Sequence, residues 1–85
     1  TTGRSKGVML SQRNLYMHSL MMIAEDMFHP DSVGLHVAPM FHLADVGTVM
    51  GATMAGGSHV CLPRFEPEAT LRAIEEHGVT EVYLV

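Results

Sequence analysis

The chain has 85 residues, of which 47% are hydrophobic and 16% are charged, and its net charge is −4. This apolar fraction excludes a disordered chain, and the length limits the chain to one small domain. The longest apolar stretch, residues 46–60, is interrupted by glycines and by His59, so the sequence predicts no transmembrane helix. The single cysteine, Cys61, cannot form an internal disulfide and favours a reducing, cytoplasmic compartment.

Charges are distributed unevenly along the chain. Residues 1–24 contain three bases, Arg4, Lys6 and Arg13, and no acid, whereas the remainder contains two bases and nine acids. A short basic segment in an acidic chain favours a small anionic ligand. It disfavours nucleic acid, which requires a broad basic face.

The chain opens with a loop that has the chemistry of a phosphate site. Gly3 and Gly7 are expected to adopt positive φ and to turn backbone N–H groups towards anionic oxygens. Lys6 adds a positive charge to these donors. A plain surface turn rich in Gly, Ser and Thr is the alternative, and composition alone favours it. Residues 8–10 are predicted to form a short strand after the loop.

Helical and strand patterns then alternate. Ser11 is a good N-cap for a helix that ends before Pro30. Strands are predicted at residues 35–38, 59–62 and 81–85, with helices at residues 43–55 and 67–77 between them. The buried stripe of the first helix is expected to be Tyr16, Leu20, Ile23 and Met27, with Met17, Met21 and Met22 as core residues. Leu71 and Ile74 are the corresponding residues of the last helix.

This order predicts an α/β fold, with a partial parallel sheet and crossover helices. Ligands of such sheets bind outside the carboxyl ends of the strands. The segment 39–42, Pro-Met-Phe-His, follows a strand end and is therefore a candidate site. His42 is equally compatible with a core or capping role, and Asp45 either orients the His42 ring or is a surface acid.

Three segments resemble motifs of the adenylate-forming superfamily. T-T-G-x-x-K-G-V at residues 1–8 resembles the second half of its phosphate-binding loop. Residues 8–14 and the Ala-Pro-Met-Phe-His segment at 38–42 are similar to the stretches that follow, and the order covers all 85 residues. Position 5 departs from the pattern, because Ser5 stands where the superfamily usually has proline.

The resemblance implies roles for individual residues. Thr1, Thr2, Gly3, Arg4 and Lys6 would contact the ATP phosphates, with Arg4 at a variable position. Phe41 and His42 would line the acid site, and His42 would take part in catalysis. His42 favours an acyl- or aryl-CoA ligase, because peptide-synthetase adenylation domains usually have aspartate there. ATP and coenzyme A would be substrates, and the ligands of Mg²⁺ would lie outside residues 1–85.

The remaining reactive residues are assigned structural roles. The other histidines (His18, His29, His36, His59 and His77) are expected to be structural or exposed, since none forms a close ligand pair. Cys61 is expected in the core. The sequence therefore predicts no metal site within the chain.

We expect residues 1–85 to be an internal piece of the N-terminal domain of an acyl-CoA synthetase, inactive in isolation. A fatty acid is the expected substrate, because Gly47 and the other small residues of helix 43–55 leave room beside His42 for an acyl chain. The same small residues are equally compatible with tight packing of the helix on the sheet. The parent is expected in the cytoplasm or peripherally on a membrane. The alternatives are a non-catalytic phosphate- or nucleotide-binding α/β module and a peptide-synthetase adenylation domain.

Overall fold

A computed structural model describes residues 3–84, so that Thr1, Thr2 and Val85 lie outside the described residues. Helices and strands alternate within it: α1 (Gln12–Ala24), β1 (Val33–His36), α2 (Leu43–Ala55), β2 (Ser58–Cys61), α3 (Pro67–His77) and β3 (Glu81–Val82). The three strands form one parallel sheet in the order β2-β1-β3, which confirms the predicted α/β fold. Across residues 3–84, no helix combines the length and hydropathy needed to span a bilayer.

The two crossover helices cover opposite faces of the sheet. Successive side chains of β1 alternate between these faces. Leu35 lies in a core with Val37 and with Ala73 of α3. Gly34 faces α2, because a Cβ at this position would lie 3.3 Å from Cγ2 of Thr48. Since α1 packs on α2, the order of layers is α3, sheet, α2 and α1.

Helix ends follow the local sequence closely. Gly56 and Gly78 end α2 and α3 in the left-handed conformation, with φ of 82° and 60°. The end of α1 was predicted too late, because the helix stops at Ala24 rather than near Pro30. Asp26 takes a positive φ of 62° and turns the chain out of the helix, a conformation that Asp tolerates better than most residues.

The predicted buried stripe of α1 is wrong by about one residue. Ser19 is buried, and Leu15, Met22 and Ile23 are half-buried around it. Of the predicted stripe, Tyr16, Leu20 and Met27 are exposed, as are Met17 and Met21. The small Ser19 side chain donates its hydroxyl to the carbonyl of Leu15 and fits where α1 meets α2. The pattern of large apolar residues therefore does not mark the packed face.

Two further expectations for apolar residues fail. Leu71 is 69% exposed, because α3 packs through Thr70, Ala73 and Ile74. Cys61 is exposed at the end of β2 and is not a core residue. The sheet residues themselves are shifted, since β1 and β2 begin earlier than predicted and β3 contains only Glu81–Val82.

The segment before α1 contains no strand among residues 3–11, so the strand predicted at 8–10 is wrong. Met9 is 98% exposed there, and no neighbouring strand pairs with this run among the described residues. Ser11 caps α1 as predicted. Its hydroxyl accepts from the N–H of Asn14, and the Asn14 side chain accepts from the N–H of Ser11.

Candidate active site

His42 occupies the junction between the sheet and α2. It lies six positions after His36, the last residue of β1, and it forms the N-cap of α2. Its Nδ1 atom accepts from the backbone N–H of Ala44 at 3.3 Å. Because Nδ1 is the acceptor, a neutral His42 carries its proton on Nε2. His42 therefore combines a capping role with an exposed N–H donor at the helix start.

A largely apolar cleft of about 890 Å³ opens beside His42. Its walls come from α1, from the first half of α2 and from the end of β3. Apolar residues form most of the lining: Leu10, Leu15, Met22, Met27, Phe28, Leu43, Val46, Met50, Val82 and Tyr83. Since His42 follows β1 and Tyr83 follows β3, the cleft lies at the carboxyl ends of two parallel strands, where ligands of such sheets bind.

His42 and Gly47, two of the three predicted acid-site residues, both line this cleft. Phe41 is 91% exposed and does not line it. The structure therefore brings His42 and Gly47 to one cleft, and their role in binding the acid stays a prediction.

Gly47 and Gly51 of α2 differ in what surrounds them. A Cβ on Gly47 would lie 3.7 Å from Cε1 of His18 and from Cε of Met22, which is ordinary contact. A Cβ on Gly51 would lie only 2.6 Å from the ring of Phe28. Gly51 therefore permits close packing, whereas Gly47 leaves space in the cleft for about one methyl group.

The predicted phosphate loop is described from Gly3 onward. Gly3 has the expected positive φ, at 103°. Gly7 does not have a positive φ, so that prediction is wrong. Arg4 and Lys6 are exposed and do not line the cleft. The described part of the loop thus contains Gly3 with a positive φ and the exposed cations Arg4 and Lys6. Such hydrogen-bond donors suit an anionic ligand. Thr1 and Thr2, the other predicted phosphate contacts, lie outside the described residues.

Sequence reasoning missed a polar cluster formed by His36, Asp45 and His59. His36 is 2% exposed and Asp45 is 1% exposed. Nδ1 of His36 lies 3.1 Å from both carboxylate oxygens of Asp45. On the other side of the ring, Nε2 of His36 lies 2.8 Å from Nδ1 of His59. The Asp45 carboxylate therefore pairs with His36 and not with the His42 ring across one helical turn, and Asp45 is not a surface acid.

One signal in the sequence could have indicated this cluster. Two neighbouring parallel strands each contain a histidine, and the first turn of the helix that connects them contains an aspartate. The register pairs Gly34 with His59, so that His36 and His59 share a face and their rings stack with centroids 5.1 Å apart. Within residues 3–84, the His, Cys, Asp and Glu side chains form no group of three that could hold a metal ion.

Comparison with known proteins gives a consistent result. The sequence model of the AMP-binding enzyme family matches residues 1–85. The chain is 36% identical over 80 residues to 2-succinylbenzoate–CoA ligase of Arabidopsis thaliana, covering 94% of this chain and 14% of that protein. It is 38% identical over 84 residues to feruloyl-CoA synthase of Amycolatopsis sp, covering 98% and 17% respectively.

A solved structure shows the same fold. ATP-bound MatB from Rhodopseudomonas palustris matches with a TM-score of 0.81 and 36% identity over 95% of this chain and 16% of that chain. The chain thus spans between 14% and 17% of the length of these three proteins.

Proposed function

Because the chain belongs to the AMP-binding enzyme family, we propose that residues 1–85 form part of the N-terminal domain of an acyl-CoA synthetase. In the first step, a carboxylate oxygen of the acid attacks the α-phosphorus of ATP and pyrophosphate leaves. In the second step, the sulfur of coenzyme A attacks the acyl carbon of the adenylate and AMP leaves. One observation carries this proposal: the Nε2–H group of His42 lies at an apolar cleft at the carboxyl ends of β1 and β3.

His42 is assigned to the activation step. A histidine N–H group can donate to the carboxylate of the acid and to the oxygens of the adenylate, where negative charge resides. Gly47 gives the acid space inside the cleft, and Phe41 is exposed beside His42, where it could contact a bound adenylate. The sequence similarity of the chain to 2-succinylbenzoate–CoA ligase and feruloyl-CoA synthase supports thioester formation with coenzyme A as the second step.

The loop at residues 1–7 is assigned to the ATP phosphates. Gly3 and the exposed bases Arg4 and Lys6 fit an anion, and MatB, which shares 36% of its residues with this chain in the matched region, binds ATP. Thr1 and Thr2 complete the proposed contacts. Mg²⁺ would neutralise phosphate charge when bound with ATP, and we assign its protein ligands to the chain outside residues 1–85.

A fatty acid is the proposed substrate. The cleft beside His42 is lined mostly by aliphatic, methionine and aromatic side chains. A lining of this kind suits the apolar chain of a fatty acid. An aromatic acid is the second candidate, because the names of both relatives, 2-succinylbenzoate–CoA ligase and feruloyl-CoA synthase, specify aromatic acids. The supply of ATP and coenzyme A and the free thiol of Cys61 support a cytoplasmic location.

Exchange of labelled pyrophosphate into ATP tests the activation step on the full-length protein that carries this chain. We expect exchange that depends on an added acid, and thioester formation once coenzyme A is present. Decanoate and ferulate, assayed in parallel, distinguish the two substrate classes. A protein that binds ATP but shows no exchange with any acid would instead support the non-catalytic nucleotide-binding module.

A further inference from the structure

We propose that His36 is a positioning residue for His42, and that Asp45 and His59 hold its ring for this purpose. The inference deepens the proposed function, and its activity test depends on that function. His36 does not line the cleft, so it would act only through the segment that connects β1 to α2.

The His36 ring is held on both sides. Nδ1 is 3.1 Å from each oxygen of the Asp45 carboxylate, and Nε2 is 2.8 Å from Nδ1 of His59. Nε2 of His59 is in turn 3.0 Å from the hydroxyl of Thr53. His36 and Asp45 are almost completely buried, whereas His59 and Thr53 are exposed. If His36 or Asp45 lost its partner, no solvent water could replace the lost hydrogen bond.

With both histidine rings neutral, the Asp45 carboxylate sets the direction of every hydrogen bond in the cluster. A carboxylate only accepts hydrogen bonds, so Nδ1 of His36 is protonated and its N–H group donates a hydrogen bond to Asp45. Nε2 of His36 is then an acceptor, and the Nδ1–H group of His59 donates to it. Nε2 of His59 accepts in turn from the Thr53 hydroxyl. Each ring nitrogen thus has a single role, and both rings are fixed in orientation.

The same pair joins the two ends of the segment that presents His42. His36 is the last residue of β1, and Asp45 is the third residue of α2, only nine positions later. Between them, the N–H of His42 donates to the carbonyl of Pro39 at 2.8 Å, and the N–H of Asp45 donates to the carbonyl of His42 at 3.1 Å. A shift of the α2 start relative to β1, which the buried pair opposes, would therefore move His42 and its Nε2–H donor as well.

The test combines kinetics and NMR on the full-length protein. Asp45→Asn replaces one acceptor oxygen with a donor, and His36→Gln cannot keep both ring contacts. We expect either change to lower the kcat of acid-dependent pyrophosphate exchange by about tenfold to a hundredfold, the usual effect of a small misplacement in a catalytic site. The KM for ATP should not change. Unchanged kcat in both variants would overturn the proposal.

Two further variants separate positioning from folding. Thr70→Val removes a buried side-chain hydrogen bond on α3, on the opposite face of the sheet, and should leave kcat unchanged. His36→Asn keeps a donor close to the position of Nδ1 and should restore much of the activity lost in His36→Gln. Should the two buried substitutions prevent folding, His59→Phe at the exposed end removes the donor to Nε2 and should still lower kcat. Wild-type kcat in His59→Phe would then overturn the proposal.

The ¹⁵N chemical shifts of histidine-labelled protein provide a readout that does not need activity. Wild-type His42 should show an unprotonated Nδ1 and a protonated Nε2, and Asp45→Asn should average these two signals, whereas Thr70→Val should not. If the wild-type protein has no exchange activity with any acid, the proposed function fails and these signals alone decide the positioning role. Identical His42 signals in wild type and Asp45→Asn would overturn it.

Discussion

His36 on β1 and Asp45 on α2 form a buried pair in which Nδ1 of the ring lies 3.1 Å from both carboxylate oxygens. Removing one partner leaves the other buried without compensation. We expect His36→Phe to lower the free energy of unfolding by about 3–5 kcal/mol, because the Asp45 carboxylate loses its buried donor. Urea denaturation of the full-length protein, followed by circular dichroism, measures the loss.

The double variant His36→Phe/Asp45→Leu is the control for that prediction. Replacing both partners by apolar groups of similar size removes the unpaired charge, so most of the lost stability should return. A double variant as unstable as His36→Phe alone would show that the loss arises from packing rather than from the broken pair.

Much of this fold is predictable because local chemistry decides where helices begin and end. Ser11 caps α1, Pro67 begins α3, and Gly56 and Gly78 end two helices in the left-handed conformation. The position of His42 after a strand is also predictable, because parallel sheets bind ligands at their carboxyl ends.

The errors arise where packing between elements decides. The buried face of α1 is centred on Ser19, whose small side chain gives no hydrophobic signal. The pair of His36 and Asp45 depends on how α2 crosses the sheet, and residue spacing along the chain does not contain that geometry. The two strand histidines and the helix aspartate are visible in the sequence, but only the register of β1 and β2 shows that His36 and His59 lie on one face.

Gly47 and Gly51 offer a matched test of the two roles of glycine in α2. Gly51→Ala should destabilise the protein by about 1–3 kcal/mol, because the new methyl group meets the buried Phe28 ring. Gly47→Ala adds a methyl group at ordinary contact distance and should be neutral or stabilising by up to about 1 kcal/mol. Urea denaturation of both variants checks these values.

Gly47→Ala should also change the choice of acid. The added methyl group reduces the space in the cleft, so the KM for bulky acids should rise more than the KM for short acids. Steady-state kinetics across acids of increasing length measures this. An equal change for all acids would place the bound acid away from Gly47.

Lys6 and Arg4 provide a comparison within the phosphate loop. Lys6→Ala should lower the efficiency of ATP use by about tenfold to a hundredfold, the loss expected for one charge-assisted hydrogen bond. Arg4→Ala removes an equal charge at the variable position and should have a smaller effect. Pyrophosphate exchange at several ATP concentrations measures both, and equal losses would indicate attraction by general charge rather than a specific contact of Lys6.

The 85-residue chain alone should have no ligase turnover. It spans 14% and 17% of the length of the two named relatives, and the proposed ligands of Mg²⁺ lie outside residues 1–85. Purified chain, incubated with ATP and decanoate, should release no pyrophosphate above a blank without protein. Acid-dependent release would contradict this expectation.

His42 has two roles that substitution can separate. His42→Ala removes both the N-cap of α2 and the Nε2–H donor, whereas His42→Ser keeps a capping oxygen and removes only the donor. We expect both variants to lose activation of the acid by a similar factor, about tenfold to a hundredfold for one lost donor to developing charge. Only His42→Ala should also lose stability, by about 1 kcal/mol. Pyrophosphate exchange and urea denaturation on the same preparations distinguish the two effects. If His42→Ser activates several acids at the wild-type rate, His42 is a capping residue and the donor belongs to another side chain of the cleft.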